Sequence, residues 1–128
     1  VEDNLVAAPL MIMALADFGY RVRHAASVGA ALTLAEEHSF DVVLTDLGLP
    51  DGSGIEVGRV LSPRMPVVAL SGYGSVADMQ RTMRAGFSGH LIKPADPDEI
   101  HRTLARVLSA RGPVEAPGPA DGNVQNGQ

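Results

Sequence analysis

Val42, Val43 and Leu44 make a short apolar run that stops abruptly at Thr45-Asp46. An unbroken run of this length fits a strand covered on both faces, as in the interior of a parallel sheet. Immediately afterwards Gly48, Pro50, Gly52 and Gly54 force a loop. Asp46 therefore falls at the carboxyl end of a core strand, where open α/β sheets bind their ligands. Alone, an aspartate there is better explained as a cap for the next element. Its meaning depends on what the other strands bring to the same rim.

Strand and helix signals alternate along the chain. Leu5 to Phe18 reads as a helix with Pro9 near its start and Gly19 at its close. Tyr20 to Ala25 alternates as a strand. Ser27 caps a helix that runs to about His38 and is buried through Ala31, Leu32 and Ala35. After the Phe40–Asp46 strand, a helix over Gly54–Leu61 has Ile55, Val60 and Leu61 as core candidates. Val67–Leu70 is a second buried strand, ending at Ser71. Ser75 and Asp78 suit a capping box for a helix that carries Val76, Met79 and Met83 on one face. His90-Leu91-Ile92 is a last strand, ending at Lys93-Pro94. Asp96, Pro97 and Glu99 then open a helix with the stripe Ile100, Thr103, Leu104, Val107 and Leu108. From Gly112 to Gln128 the composition of Gly, Pro, Asn and Gln predicts a disordered tail, which leaves residues 1–111 as one folded domain. The alternation predicts an α/β fold, a parallel sheet with helices on both faces.

Composition removes several functions. At net charge −5 the domain has no nucleic-acid footprint, and with no cysteine it has no disulfide or thiol chemistry. No apolar run is long enough to span a membrane, and no signal peptide precedes the first acidic residues, so membrane contact is not expected and a cytoplasmic location is. Lys93 is the single lysine among ten Lys and Arg residues, which marks a position that arginine would not serve.

Four chain segments bring polar groups to one rim: Glu2-Asp3, Asp46, Ser71 and Lys93. Carboxylates held about 4–6 Å apart repel by several kcal/mol per pair at an effective dielectric near 20. Such a cluster calls for a cation, and all-oxygen ligands favour Mg²⁺ over zinc. One carboxylate nucleophile, a divalent ion, an ammonium and a hydroxyl together suit phosphoryl transfer to the carboxylate.

These residues, in this order, resemble the receiver domain of two-component response regulators, the CheY-like family. The likeness rests on the acidic pair Glu2-Asp3, the Asp46-xxx-Pro50-xxx-Gly54 loop, Ser71 after an apolar strand, and Lys93-Pro94, and it runs from Val1 to about Leu108. The resemblance implies a doubly wound, flavodoxin-like sheet of five parallel strands in the order 2-1-3-4-5. It implies that Asp46 is the phospho-acceptor and that Asp3, Asp46 and the Gly48 carbonyl ligate Mg²⁺, with Glu2 acting largely through water. Ser71 would bond a phosphoryl oxygen as the first switch residue, Lys93 would pair with the phosphoryl group, and the Lys93-Pro94 bond would be cis. The donor would be a histidine kinase or a histidine phosphotransfer domain, catalysis would be confined to the domain's own phosphorylation and dephosphorylation, and a homodimer is compatible with the family.

The sequence also departs from the family pattern. Of the first strand only Val1 is present, which predicts an apolar run directly upstream. His90 stands at the second switch position in place of the usual Tyr or Phe, a replacement often tolerated in receivers attached to sensor kinases; it reads equally as a partly buried histidine satisfied by a neighbour or as a switch whose ring swings towards Ser71. Gly48 and Tyr73 flank the site where an acid or amide often positions water, which predicts slow loss of phosphate. The apolar excess of Leu5 to Phe18 reads first as a helix with many small alanines; the sharper alternative is a docking patch for a phosphotransfer helix, with Leu10 and Met13 as its test positions. His24, His38 and His101 read as surface residues. A hydrolase of the haloacid-dehalogenase type would need an acid where Gly48 stands and a cap domain for which there is no room. A docking module that never takes up phosphate is the remaining alternative.

Overall fold

The computed structural model describes residues 1–72 and 74–115, so Tyr73 and the end of the predicted tail lie outside the described residues. In chain order the elements are α1 (Ala7–Asp17), α2 (Val28–Glu37), β1 (Val43–Asp46), β2 (Gly48–Leu49), β3 (Gly52–Ser53), α3 (Gly54–Leu61), β4 (Val67–Ser71), α4 (Val76–Arg84), β5 (Gly89–Ile92) and α5 (Pro97–Glu115). Helix α5 thus continues past Gly112 into the stretch read from composition as tail.

β1, β4 and β5 form a parallel sheet in that order, with Asp46 level with Leu70 and Ser71 level with Ile92. β4 lies in the middle and is buried along its whole length. Its alternate side chains feed two cores. Val67 packs with Val28, Ala31 and Ala35 of α2 and Val57 and Leu61 of α3. Val68 and Leu70 pack with Leu15 of α1 and Ile100, Leu104 and Val107 of α5. The period-2 alternation of the strands therefore places helices on both faces.

Tyr20–Ala25 is not a strand of this sheet, although its alternation predicts one. A strand exists only through its ladder, and this segment meets Val1 and Glu2 through a backbone bond at Ala25 rather than along a ladder. Val1 and Glu2 lie between Ala25 and β1. The Glu2 amide donates to the Ala25 carbonyl at 2.9 Å, the Asp46 amide to the Val1 carbonyl at 3.0 Å, and the Val1 ammonium to the Leu44 carbonyl. Beyond it an apolar cavity of about 150 Å³ continues between Val22, Ala25, Val42 and Leu44. Burial pushes the Val1 amino group below its ordinary pKa against the opposing pull of Asp46 and Glu2.

The caps follow the sequence. The Ser27 hydroxyl accepts from the Ala30 amide at 3.1 Å, Ser75 from Asp78 at 3.1 Å, and Asp96 from Glu99 at 2.8 Å. Two amphipathic readings differ from what is observed. Val60 is 41% exposed while Val57 is fully buried. On α4 the stripe Val76, Met79 and Met83 faces solvent, and the buried residue is Thr82. Hydropathy identifies the apolar face of a helix but not whether a neighbour covers it.

Gly58 lets α3 approach Phe87, since a Cβ there would lie 1.9 Å from the Phe87 ring. Replacing an unhindered helical glycine by alanine stabilises by about 1 kcal/mol. Here Gly58→Ala should instead destabilise by roughly 1–3 kcal/mol from overpacking. Urea denaturation checks this, and Phe87→Leu in the same chain should recover most of the loss.

Candidate phosphoryl-transfer site

β1 delivers Asp46 to the rim at 5% exposure, beside the two acids that follow Val1. One carboxylate oxygen from each of Glu2, Asp3 and Asp46 lies within 4.8 Å of the others. Glu2 is half-buried and Asp3 exposed. From the end of β5, Lys93 Nζ donates to Asp46 Oδ2 at 3.0 Å and stands 3.8 Å from Glu2 Oε1. Asp46 Oδ1 is buried without a hydrogen-bond partner. The Lys93-Pro94 peptide is cis. The Lys93 amide donates to the Ser71 carbonyl at 2.7 Å, tying the ends of β4 and β5 together.

Ser71, at 7% exposure, turns its hydroxyl to His90, with Oγ 2.9 Å from Nε2. The ring's other nitrogen lies 3.1 Å from Thr82 Oγ1 on α4. His90 is thus already on Ser71. Thr82 was missed altogether, because a threonine in a helix gives no sign of where its hydroxyl will point.

The loop after Asp46 is held at several points. β2 pairs with β3 through Gly48 and Ser53, and the Gly54 amide donates to the Leu47 carbonyl at 2.7 Å. A Cβ on Gly54 would lie 1.9 Å from the Asp46 carbonyl oxygen, so only glycine lets α3 begin that close to the acid. Asp51 reaches the start of α2, where its carboxylate accepts from Val28 at 2.9 Å and Gly29 at 3.0 Å. Those two amide bonds hold its pKa below the ordinary value. Sequence reasoning assigned Asp51 only to the loop. The charged residue fixes the loop by supplying the helix amides that Ser27 leaves open.

Of the remaining histidines, His24 bonds the Glu2 carbonyl at 2.6 Å and is exposed. His101 is not a free surface residue. It stacks on Phe18 at 4.2 Å and lies 3.0 Å from the Tyr20 hydroxyl, joining α1 to α5.

The electrostatics follow from burial. Asp46 is pushed up to about 6, by desolvation first and then by its bond with Glu2, against the pull of Lys93. Glu2 moves the other way. Burial raises it, but the bond with Asp46, the Asn4 amide, Lys93 and the N-terminal ammonium bring it below its ordinary value. Lys93 is desolvated, yet the bond to Asp46 and the charges of Asp46, Glu2 and Asp3 raise it.

This donor set fits a hard divalent ion. It offers carboxylate oxygens only, one of them a buried oxygen lacking any partner. The Gly48 carbonyl stands at an exposed loop position two residues beyond Asp46.

Residues 1–105 match the response regulator receiver domain. The chain belongs to that family. It is 30% identical over 97% of its length to the response regulator protein PilR of Pseudomonas aeruginosa, while spanning 28% of that protein. Among solved structures, it resembles the receiver domain of a sensor histidine kinase from Pseudomonas aeruginosa with magnesium ion coordinated in the active-site cleft. That likeness has a TM-score of 0.77 and 31% identity, covering 85% of this chain and 93% of the other. It also resembles a response regulator from Burkholderia pseudomallei with a phosphorylated aspartic acid and a calcium ion, at TM-score 0.76 and 28% identity, covering 93% and 72%. The protein is thus a two-component receiver domain with the doubly wound, CheY-like architecture; β1, β4 and β5 supply the last three positions of the expected order.

The raised pKa of Asp46 has a defined sign in stability. Between the ordinary aspartate range and about 6 the folded state holds a proton that the unfolded chain has lost, so metal-free stability falls as pH rises through that window. Asp46→Asn should remove this fall and, at neutral pH with chelator present, stabilise the protein by roughly 2–3 kcal/mol. Parallel urea titrations of both proteins between pH 4 and 7 measure it; the reading fails if their stability difference stays constant across that window.

Proposed function

We propose that Asp46 accepts a phosphoryl group from a phosphohistidine of a histidine kinase or phosphotransfer domain, and that this switches a signalling contact. The observation that carries the reading is a nearly buried nucleophile paired with the only lysine, beside two further acids. An Asp46 oxygen attacks phosphorus, the bond to the donor nitrogen breaks, and that nitrogen keeps the electron pair. Lys93, already on Oδ2, stays close enough to neutralise charge arriving on the phosphoryl oxygens. Ser71 supplies a hydroxyl donor at the neighbouring strand end. Glu2, Asp3, Asp46 and the Gly48 carbonyl would hold Mg²⁺, which when bound offsets the clustered negative charge and that of the entering group.

The phosphorylated and magnesium-bound relatives support this assignment by likeness. Leu10 and Met13 of α1, at 63% and 66% exposure, offer the apolar patch that a phosphotransfer helix would meet. We place the domain in the cytoplasm, consistent with described helices too short or too polar to cross a membrane. The expectation of no direct nucleic-acid contact extends only to this acidic domain. The domain's own catalysis is confined to gaining and losing the phosphoryl group.

With acetyl phosphate and Mg²⁺, intact-mass spectrometry should show one phosphoryl group on the wild type and none on Asp46→Asn. Lys93→Ala should slow uptake by about 10–100-fold, or roughly 1.4–2.7 kcal/mol in the barrier. Undiminished incorporation in Asp46→Asn would reject the assignment.

A further inference from the structure

Asp51 stands at the turn of the β2–β3 hairpin, between Leu49 and Gly52, and phosphoryl transfer gives it no task. It is exposed, yet both of its carboxylate oxygens are engaged with one helix end. Oδ1 accepts from the Val28 amide at 2.9 Å and Oδ2 from the Gly29 amide at 3.0 Å. Ser27 Oγ accepts from the next amide of α2, that of Ala30, at 3.1 Å. The first turn of α2, Val28-Gly29-Ala30-Ala31, contains no acid. The negative charge that a helix start favours comes instead from a loop residue further along the chain.

The base and the tip of the hairpin are held differently. At the base the Gly54 amide donates to the Leu47 carbonyl at 2.7 Å, directly beside Asp46. The ladder between base and tip has two rungs, Gly48 with Ser53 and Leu49 with Gly52, and two of those four residues are glycines. Glycine restrains its own backbone little, and so short a ladder does not hold alone. Leu49 packs against the core, a contact without direction. At the tip α2 is a fixed wall, with Val28, Ala31 and Ala35 buried in the core shared with α3 and β4. Asp51 fastens the tip to that wall.

We propose that Asp51 is a positioning residue for the divalent ion: by clamping the hairpin to the first turn of α2 it sets the backbone at Gly48 before the ion arrives. The inference rests on the reading in which the Gly48 carbonyl joins Glu2, Asp3 and Asp46 around Mg²⁺. Asp46 is placed by its burial and by Lys93, whereas a glycine carbonyl has only its backbone to place it. With a loose hairpin the ion would have to order the loop as it bound, and that entropy would weaken binding. Aspartate suits the role because both amides need an acceptor. Asparagine has one acceptor oxygen, and its NH₂ would face an amide that also donates. The coupling is reciprocal, so an ion that fixes Gly48 also tightens the bonds from Asp51 to α2.

The test titrates MgCl₂ into the full, chelator-treated chain and follows the amide NMR shifts of residues 46–54. Asp51→Ala should weaken Mg²⁺ binding about tenfold. Asp51→Asn, with one acceptor left, should fall between that variant and the wild type. Ser27→Ala also removes a cap from α2, yet should bind Mg²⁺ as the wild type does, which separates positioning of the loop from support of the helix. In the wild type, saturating Mg²⁺ should slow hydrogen exchange at the Val28 and Gly29 amides, and by more than in Asp51→Asn. Wild-type affinity in both Asp51 variants overturns the proposal and leaves Asp46 as acceptor untouched. An equal loss in Ser27→Ala overturns it as well. If the wild type itself binds no Mg²⁺, it is the metal reading that fails, and this inference falls with it.

Discussion

A carboxylate taken almost out of water at the end of β1 must be compensated, and the rest of this molecule is arranged around that requirement. Asp46 is surrounded by groups that push in opposite directions. Burial and Glu2 favour its neutral form, and Lys93 favours its ionised form. The result is a carboxyl group raised to about 6, with one oxygen on Lys93 and one lacking a hydrogen-bond partner. An acid in that condition is poised to take a cation or a proton, each of which relieves the same electrostatic conflict.

The sheet makes this arrangement possible by register. Parallel pairing of β1, β4 and β5 brings Asp46, Ser71 and Lys93 to one rim, although they are far apart in sequence. The backbone bond from Lys93 to Ser71 and the position of Val1 and Glu2 between Ala25 and β1 complete the same edge. Helices on both faces leave the strand ends as the open surface. The small β2–β3 hairpin is held by Asp51 on α2 and by the close passage of Gly54 over Asp46.

The site also has a rear side. Ser71 faces both the acidic rim and, through His90, the buried hydroxyl of Thr82. Side-chain contacts between polar groups thus run from the end of β4 through His90 to α4. Bonds in such surroundings are costly to leave unmade.

The sequence alone was sufficient for the strand ends and the helix caps. Buried strands are continuous apolar runs, and Ser27, Ser75 and Asp96 mark helix starts by a chemistry that acts over three residues. Those local signals, with Glu2, Asp3, Asp46, Ser71 and Lys93 in order, already carried the family and the site. Only the tertiary structure decided the rest. It turned Val76, Met79 and Met83 outward and Val57 inward, left Tyr20–Ala25 without a ladder, brought His101 between Phe18 and Tyr20, sent Asp51 to α2 and joined Thr82 to His90. Each of these depends on what a residue meets across the fold, and pairing between distant segments leaves no periodic trace in the chain that forms it.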